Sequence, residues 1–271
     1  MNDETYMDPE TGLRYCSTCH TPREKRLPAP VAGMDRVPML CQCQRDAQER
    51  RDALEKEQEH KAHIHHLRED AFEEFPGRAW RFSTVEMTPA LEKVQSYCAH
   101  WEELSPDGIG LLLFGDVGTG KTYAAGCIAN ALIDQGHSVR FVSLSDVVNR
   151  MQGFRGSERD DYLRKLMRPE LLILDDLGSE RTTSYGQEQV FTVLNKRRYT
   201  GKPMIVTTNL TPSLMNSTTD LQAKRIYDRV LEVCVPVIFR GENFRQKAAA
   251  RNLAKARAIL GIGGEQDRAG A

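Results

Sequence analysis

Five short apolar runs mark the second half of the chain: GLLLF (110–114), VRFVSL (139–144), ELLILD (170–175), PMIVTTN (203–209) and VPVIF (235–239). Each has the length of a strand and is apolar on consecutive positions, the pattern of a strand buried on both faces. Between them, residues 123–134, 145–152, 186–199 and 221–231 carry apolar positions at helical spacing. This alternation predicts an α/β fold: a five-stranded parallel sheet sandwiched by helices. Residues 44–74 have a different texture, rich in Glu, Gln, Lys, Arg and Ala, with no Gly or Pro. They predict a long charged helix that bridges two units. Breaks at Pro76-Gly77 and from Gly261 divide the chain into an N-terminal region, 1–75, an α/β domain, 76–260, and a Gly-rich disordered tail, 261–271.

At 271 residues the chain accommodates one such domain and a smaller appendage. Lys and Arg number 37 against 38 Asp and Glu, so no bulk field attracts nucleic acid and any such contact needs a local patch. No apolar run approaches the roughly 20 residues needed to cross a bilayer, and the acidic start MNDETYMDPE is unlike a signal peptide. The expectation is a cytoplasmic protein with no membrane contact.

Four of the seven cysteines, Cys16, Cys19, Cys41 and Cys43, fall in the first region. Four thiolates are what a closed tetrahedral Zn²⁺ site requires, and a segment too short to bury a core gains most from a metal staple. Free thiols are the alternative, and His20 is an alternative fourth ligand. The remaining Cys98, Cys127 and Cys234 sit in apolar surroundings and read as core. His60, His63, His65 and His66 lie on a polar helix and read as solvent-facing.

Residues 115–122, GDVGTGKT, match G-x-x-x-x-G-K-[ST] between an apolar strand and a helical segment. Glycines let successive N–H groups turn inward toward phosphate oxygens, and the helix start adds a favourable dipole. Candidate nucleotide contacts are therefore Gly115, Asp116, Val117, Gly118, Thr119, Gly120, Lys121, Thr122 and the adjoining Tyr123. Lys121 is placed to neutralise the β and γ phosphates of ATP, and the Thr122 hydroxyl to ligate Mg²⁺. The strand LLILDD ends in Asp175, a second Mg²⁺ ligand, and Asp176, which would polarise the attacking water; solvated carboxylates are the plainer alternative. At the tip of MIVTTN, Asn209 either reaches the γ-phosphate and the lytic water or only caps the segment opened by Thr211-Pro212.

Over residues 75–247 the chain resembles the DnaC-type helicase loaders, within the DnaC/IstB branch of AAA+ ATPases. The segments WRFSTVEM, GLLLFGDVGTGKTYAAGCIANAL, ELLILDDLG, MIVTTNL and AKRIYDRVLEVCVPVIFRGENFR carry the resemblance. It implies a Mg²⁺-dependent ATPase with Asp175 and Asp176 as Walker B and Asn209 as sensor 1. By the same resemblance Arg229 is the finger inserted into a neighbouring subunit's site, Arg225 its companion, and Arg245 the sensor 2 arginine acting in cis. Trp80, Arg81 and Phe82 precede the first core strand where the family packs adenine, and Phe82 either stacks on the base or is plain core. Self-association follows from a finger acting in trans. The implied partners are a DnaB-type replicative helicase, gripped by residues 1–75, and single-stranded DNA. For DNA, Lys247, Arg251, Lys255 and Arg257 and the charged stretch 150–168 are candidates, each equally readable as a solvated face. Two other functions compete: an IstB-type transposition helper with the same core, and an ATP-gated adaptor that barely hydrolyses. Asp176 is the hint for the adaptor, being one methylene shorter than the Glu common in AAA+ enzymes.

Overall fold

The computed structural model describes residues 4–31, 33–73, 75–178, 184–260 and 262. Apart from Ile262, the tail expected to be disordered lies outside them. The chain forms two compact units, Met1–His63 and Ile64–Ala271.

In the first unit, β1 (Thr5–Met7) pairs antiparallel with β2 (Arg14–Cys16), and β3 (Glu24–Val31) with β4 (Met34–Pro38). The second ladder is irregular between Arg26 and Val31. Pro28 and Pro30 fall in that gap, and proline has no N–H to give to a ladder. α1 (Gln42–Ala71) starts directly after Cys41. Along it, the first residues to meet apolar partners in the second unit are Ile64 and Leu67, which pack on that unit's core. The units accordingly part within this helix, whereas the sequence put the boundary after Phe75.

The second unit continues through a 3₁₀ turn (Phe82–Thr84) into α2 (Pro89–Ala99), whose start is fixed by Thr88 accepting from the Leu91 amide and by Pro89. There follow α3 (Trp101–Leu104), β5 (Gly110–Gly115), α4 (Lys121–Asp134), β6 (Val139–Ser143), α5 (Leu144–Gly153), α6 (Ser157–Met167) and β7 (Leu171–Leu177). α7 (Ser184–Tyr199), β8 (Met204–Thr208), α8 (Pro212–Ser217), α9 (Leu221–Val233), β9 (Cys234–Phe239) and α10 (Phe244–Leu260) complete it. The five strands are parallel throughout, in the order β6-β7-β8-β5-β9.

Strand alternation divides the core in two. Leu111 and Leu113 of β5 face a cluster shared with Val94 of α2 and Ile128 and Leu132 of α4. Leu112 faces the opposite cluster, with Val147 of α5, Val190 and Leu194 of α7 and Ile226 of α9. The expected sandwich is therefore present, with α2, α3, α6, α8 and α10 as helices the apolar spacing did not announce. Below the sheet the guanidinium of Arg197, fully buried, donates to the carbonyls of Met167, Pro169, Glu170 and Pro203 at 2.6–3.2 Å. It ties the turn before β7 to the start of β8, and burial draws its pKa down to about 10. Among the described residues no helix is long and apolar enough to cross a membrane.

Candidate functional site

β5 lies between β8 and β9, so the loop leaving its C-terminal end opens into a crevice where the chain turns to opposite edges of the sheet. That loop leads into α4 with Gly118 at φ 83°, a conformation that favours glycine. A side chain at Gly118 is doubly excluded, since a Cβ there would lie 2.0 Å from Asn243 Oδ1. Asn243 also accepts from the Gln246 amide and so starts α10, while the Phe244 amide donates to the Gly118 carbonyl at 2.9 Å. The end of β9 and the start of α10 thus hold the glycine loop from outside.

Lys121, the first residue of α4, is buried. Its ammonium donates to the carbonyls of Gly115 and Asp116, each at 2.7 Å, and to Asn209 Oδ1 at 2.8 Å. Burial lowers its pKa, opposed by the neighbouring Asp176 carboxylate. Asp175, at the tip of β7, is also buried; desolvation raises its pKa against hydrogen bonds from Thr207 and Thr122. Thr207 Oγ1 donates to Asp175 Oδ1 at 2.7 Å and accepts from the Asp176 amide at 2.9 Å. This bridge occupies the place where the β7–β8 register shifts, between Leu174 and Leu177. Asp176 takes φ 65° within that shift, a left-handed conformation that Asp tolerates better than the longer Glu.

These groups open on a cavity of about 750 Å³, within the usual range for a bound small molecule. Val117, Gly118, Thr119, Gly120, Lys121, Thr122 and Tyr123 line it together with Asp175, Asp176, Asn209 and Arg245. Gly115 and Asp116 stand behind, acting through the carbonyls that accept from Lys121. Trp80, Val85 and Leu91 give the same lining an apolar part. Here the base-stacking expectation for Phe82 gives way to its alternative, plain core: it packs against the core cluster and does not line the cavity, while Trp80, two positions earlier, does. The 3₁₀ turn that begins at Phe82 carries its ring inward.

Arg225 and Arg229 lie on α9 and do not line this chain's own cavity. Arg225 is exposed; Arg229 Nη1 donates to Glu232 at 3.0 Å, and Glu232 also accepts two bonds from Arg198. Thr207 and Asn243 were not singled out from the sequence. The polar tip TTN was the available signal for Thr207, whereas nothing local in GENFR marks Asn243 as a partner of the loop.

In the first unit the sulfurs of Cys16, Cys19, Cys41 and Cys43 all lie within 4.8 Å of one another. Cys43 Sγ is 3.6 Å from that of Cys16 and 3.3 Å from that of Cys41. Tetrahedral Zn–S bonds of about 2.3 Å set sulfurs roughly 3.8 Å apart, so the donor set and its spacing fit this ion. The C-x-x-C turn is closed by the His20 amide donating to the Cys16 carbonyl at 3.0 Å, with His20 at φ 53°. Amides of Cys19 and Thr18 lower the pKa of Cys16, and the Thr21 hydroxyl brings Cys19 down to about 5. Cys43, crowded by the other thiols, is pushed up to about 12. His20 is outside the cluster, its Nδ1 3.3 Å from the Tyr6 hydroxyl.

The strand order, the glycine loop opening α4 and the acids at the tip of β7 define a P-loop nucleotide-binding fold of the AAA+ type. Residues 100–252, more than half of the chain, match the family described as IstB-like ATP binding protein. The chain belongs to that family. It is 28% identical to the replicative helicase loader DnaC of Escherichia coli (strain K12) over 166 residues, 60% of this chain and 65% of that one. It is 27% identical to a putative ATP-binding protein in an insertion sequence of Mycobacterium tuberculosis, over 52% of this chain and 57% of that one. The chain thus spans less than two thirds of the length of either relative. A crystal structure of DnaI superposes with a TM-score of 0.51 at 23% identity, covering 61% of this chain and 90% of that one, a likeness of fold.

Proposed function

We propose that this protein is an ATPase that loads a DnaB-type replicative helicase onto single-stranded DNA. The observation that carries the ATPase reading is the convergence of Lys121, Asp175 and Asn209 on one cavity at the strand ends, with Lys121 Nζ 2.8 Å from Asn209 Oδ1. Without nucleotide, Lys121 is satisfied by two loop carbonyls and Asn209; a triphosphate offers it stronger, charged acceptors. Thr122 and Asp175 would hold Mg²⁺, which supplies neutralising charge on the phosphates. Asp176 orients and polarises the attacking water, and Asn209, already in contact with Lys121, reads the γ-phosphate. Arg245 serves the same nucleotide in cis. Arg229, remote from its own cavity, serves a neighbour's, so turnover requires self-association.

The four cysteines hold Zn²⁺ as a structural ion, and residues 1–75 grip the helicase. Similarity to DnaC supports the loader, as does a cysteine-stapled unit ahead of the ATPase core. Similarity to an insertion-sequence protein favours a second reading, a transposition helper acting on duplex DNA. A mixture of the full chain, ATP and a DnaB-type helicase decides between them: the loader forms a co-eluting complex and its turnover rises with single-stranded DNA. Failure to bind the helicase, together with turnover that rises only with duplex DNA and a transposase, overturns the loader in favour of the helper.

A further inference from the structure

Asn130 is fully buried in α4, the helix that follows the glycine loop. Its Nδ2 stands in donor reach of the carbonyls of Gly77 at 2.9 Å, Trp80 at 3.0 Å and Gly126 at 2.9 Å. Its Oδ1 accepts from Arg68 Nε at 3.1 Å, and Arg68 also pairs with Asp134. A buried amide with its donors and its acceptor engaged fixes whatever it bonds, because any shift leaves polar atoms unpaired. Here that object is the backbone of the segment 77–80.

The indole at the end of that segment is fitted closely. A Cβ at Gly126 would lie 2.3 Å from Trp80 Cε3, so the ring lies directly on the bare backbone of α4. Tyr123 stands beside it, ring centroids 5.2 Å apart, and the Tyr123 hydroxyl is 2.8 Å from that of Thr84. Trp80 lines the same cavity as the glycine loop and Lys121.

We infer that Asn130 is a positioning residue for the base half of the nucleotide site, and that Arg68 ties that half to the last turns of α1. The inference rests on the cavity being a nucleotide site. Asn130 touches no nucleotide atom; it sets where Trp80 sits, and Trp80 forms the wall the base meets. Arg68 orients the Asn130 amide from the outer side and comes from the helix that begins in the cysteine unit.

The test compares ATP with inorganic tripolyphosphate, each with Mg²⁺, in the full chain, with Trp80 fluorescence and calorimetry as readouts. Asn130→Ala is expected to weaken ATP about tenfold, the size of one lost hydrogen-bonded contact. Tripolyphosphate, which has no base, stays within about twofold, and Arg68→Ala follows the same pattern at roughly threefold. A purely structural role would lower both affinities together; that outcome, or an unchanged ATP affinity, overturns the inference. Should Asn130→Ala fail to fold, Arg68→Ala, at a residue only partly buried and bonded to the outer side of the same network, carries the comparison alone. Wild-type protein that binds neither ligand would instead remove the nucleotide reading itself.

Discussion

The two units solve the same problem by opposite means. In the α/β unit most strand residues are buried, and two apolar clusters enclose the sheet. In the first unit the only buried residues among those described are Cys16 and Cys41. Its hairpins are short and one is interrupted by prolines, so area removed from water does not hold it. What it has instead is four sulfurs at the spacing of a tetrahedral site. A fold organised by burial resists loss of a single contact, while a fold organised by one ion depends on that ion.

The sharpest way to break this contrast is chelation. Stripping metal from the full chain should abolish the strand signals of residues 4–38 in amide exchange and leave the melting of the α/β unit unchanged; retention of those signals would mean that the first unit has another source of order. Cys41→Ser should reproduce the effect. Next in size is Arg197→Ala, which leaves several buried carbonyls without donors and should cost about 4 kcal/mol in denaturant unfolding of the α/β unit alone.

The smallest effect has the opposite sign. Burial raises the pKa of Asp175, so the folded chain holds that proton more tightly than the unfolded one. Stability without nucleotide is therefore full at acid pH and falls as pH rises from the ordinary carboxylate range near 4 through the raised value. Asp175→Asn should remove this slope and stabilise the nucleotide-free α/β unit by about 1 kcal/mol near pH 7, while ending Mg²⁺-dependent turnover. Thermal melts across pH check the first effect and phosphate release the second.

Legibility followed the same division. The strands of the α/β unit were readable because apolar runs buried on both faces have few other interpretations, and the glycine loop because its chemistry demands fixed spacing. The long helix was readable from composition, and its observed span, Gln42–Ala71, is close to the stretch expected. The hairpins of the first unit were not legible: EKRLPAPV and MDRVP show no alternation, since they bury almost nothing. Site residues divide likewise. Asp175 and Asn209 announce themselves by position at strand ends, and Lys121 by its place in the glycine-loop spacing. Thr207, Asn243 and Asn130 do not, because tertiary structure brings their partners near: sheet register for Thr207, the return of α10 to the loop for Asn243, and the segment 77–80 with Arg68 for Asn130. Phe82 could be read as base contact or as core because which aromatic of the segment 80–82 faces the cavity is decided by a single 3₁₀ turn.

Everything proposed for the site depends on Lys121 gripping a triphosphate after the end of β5. Calorimetric titration of ATP with Mg²⁺ into the full chain and into Lys121→Ala tests it directly. The account predicts saturable binding by the wild type and a loss of about 100-fold or more in the variant, the scale on which one preorganised charged donor acts. Equal ATP affinity in the two proteins would contradict it.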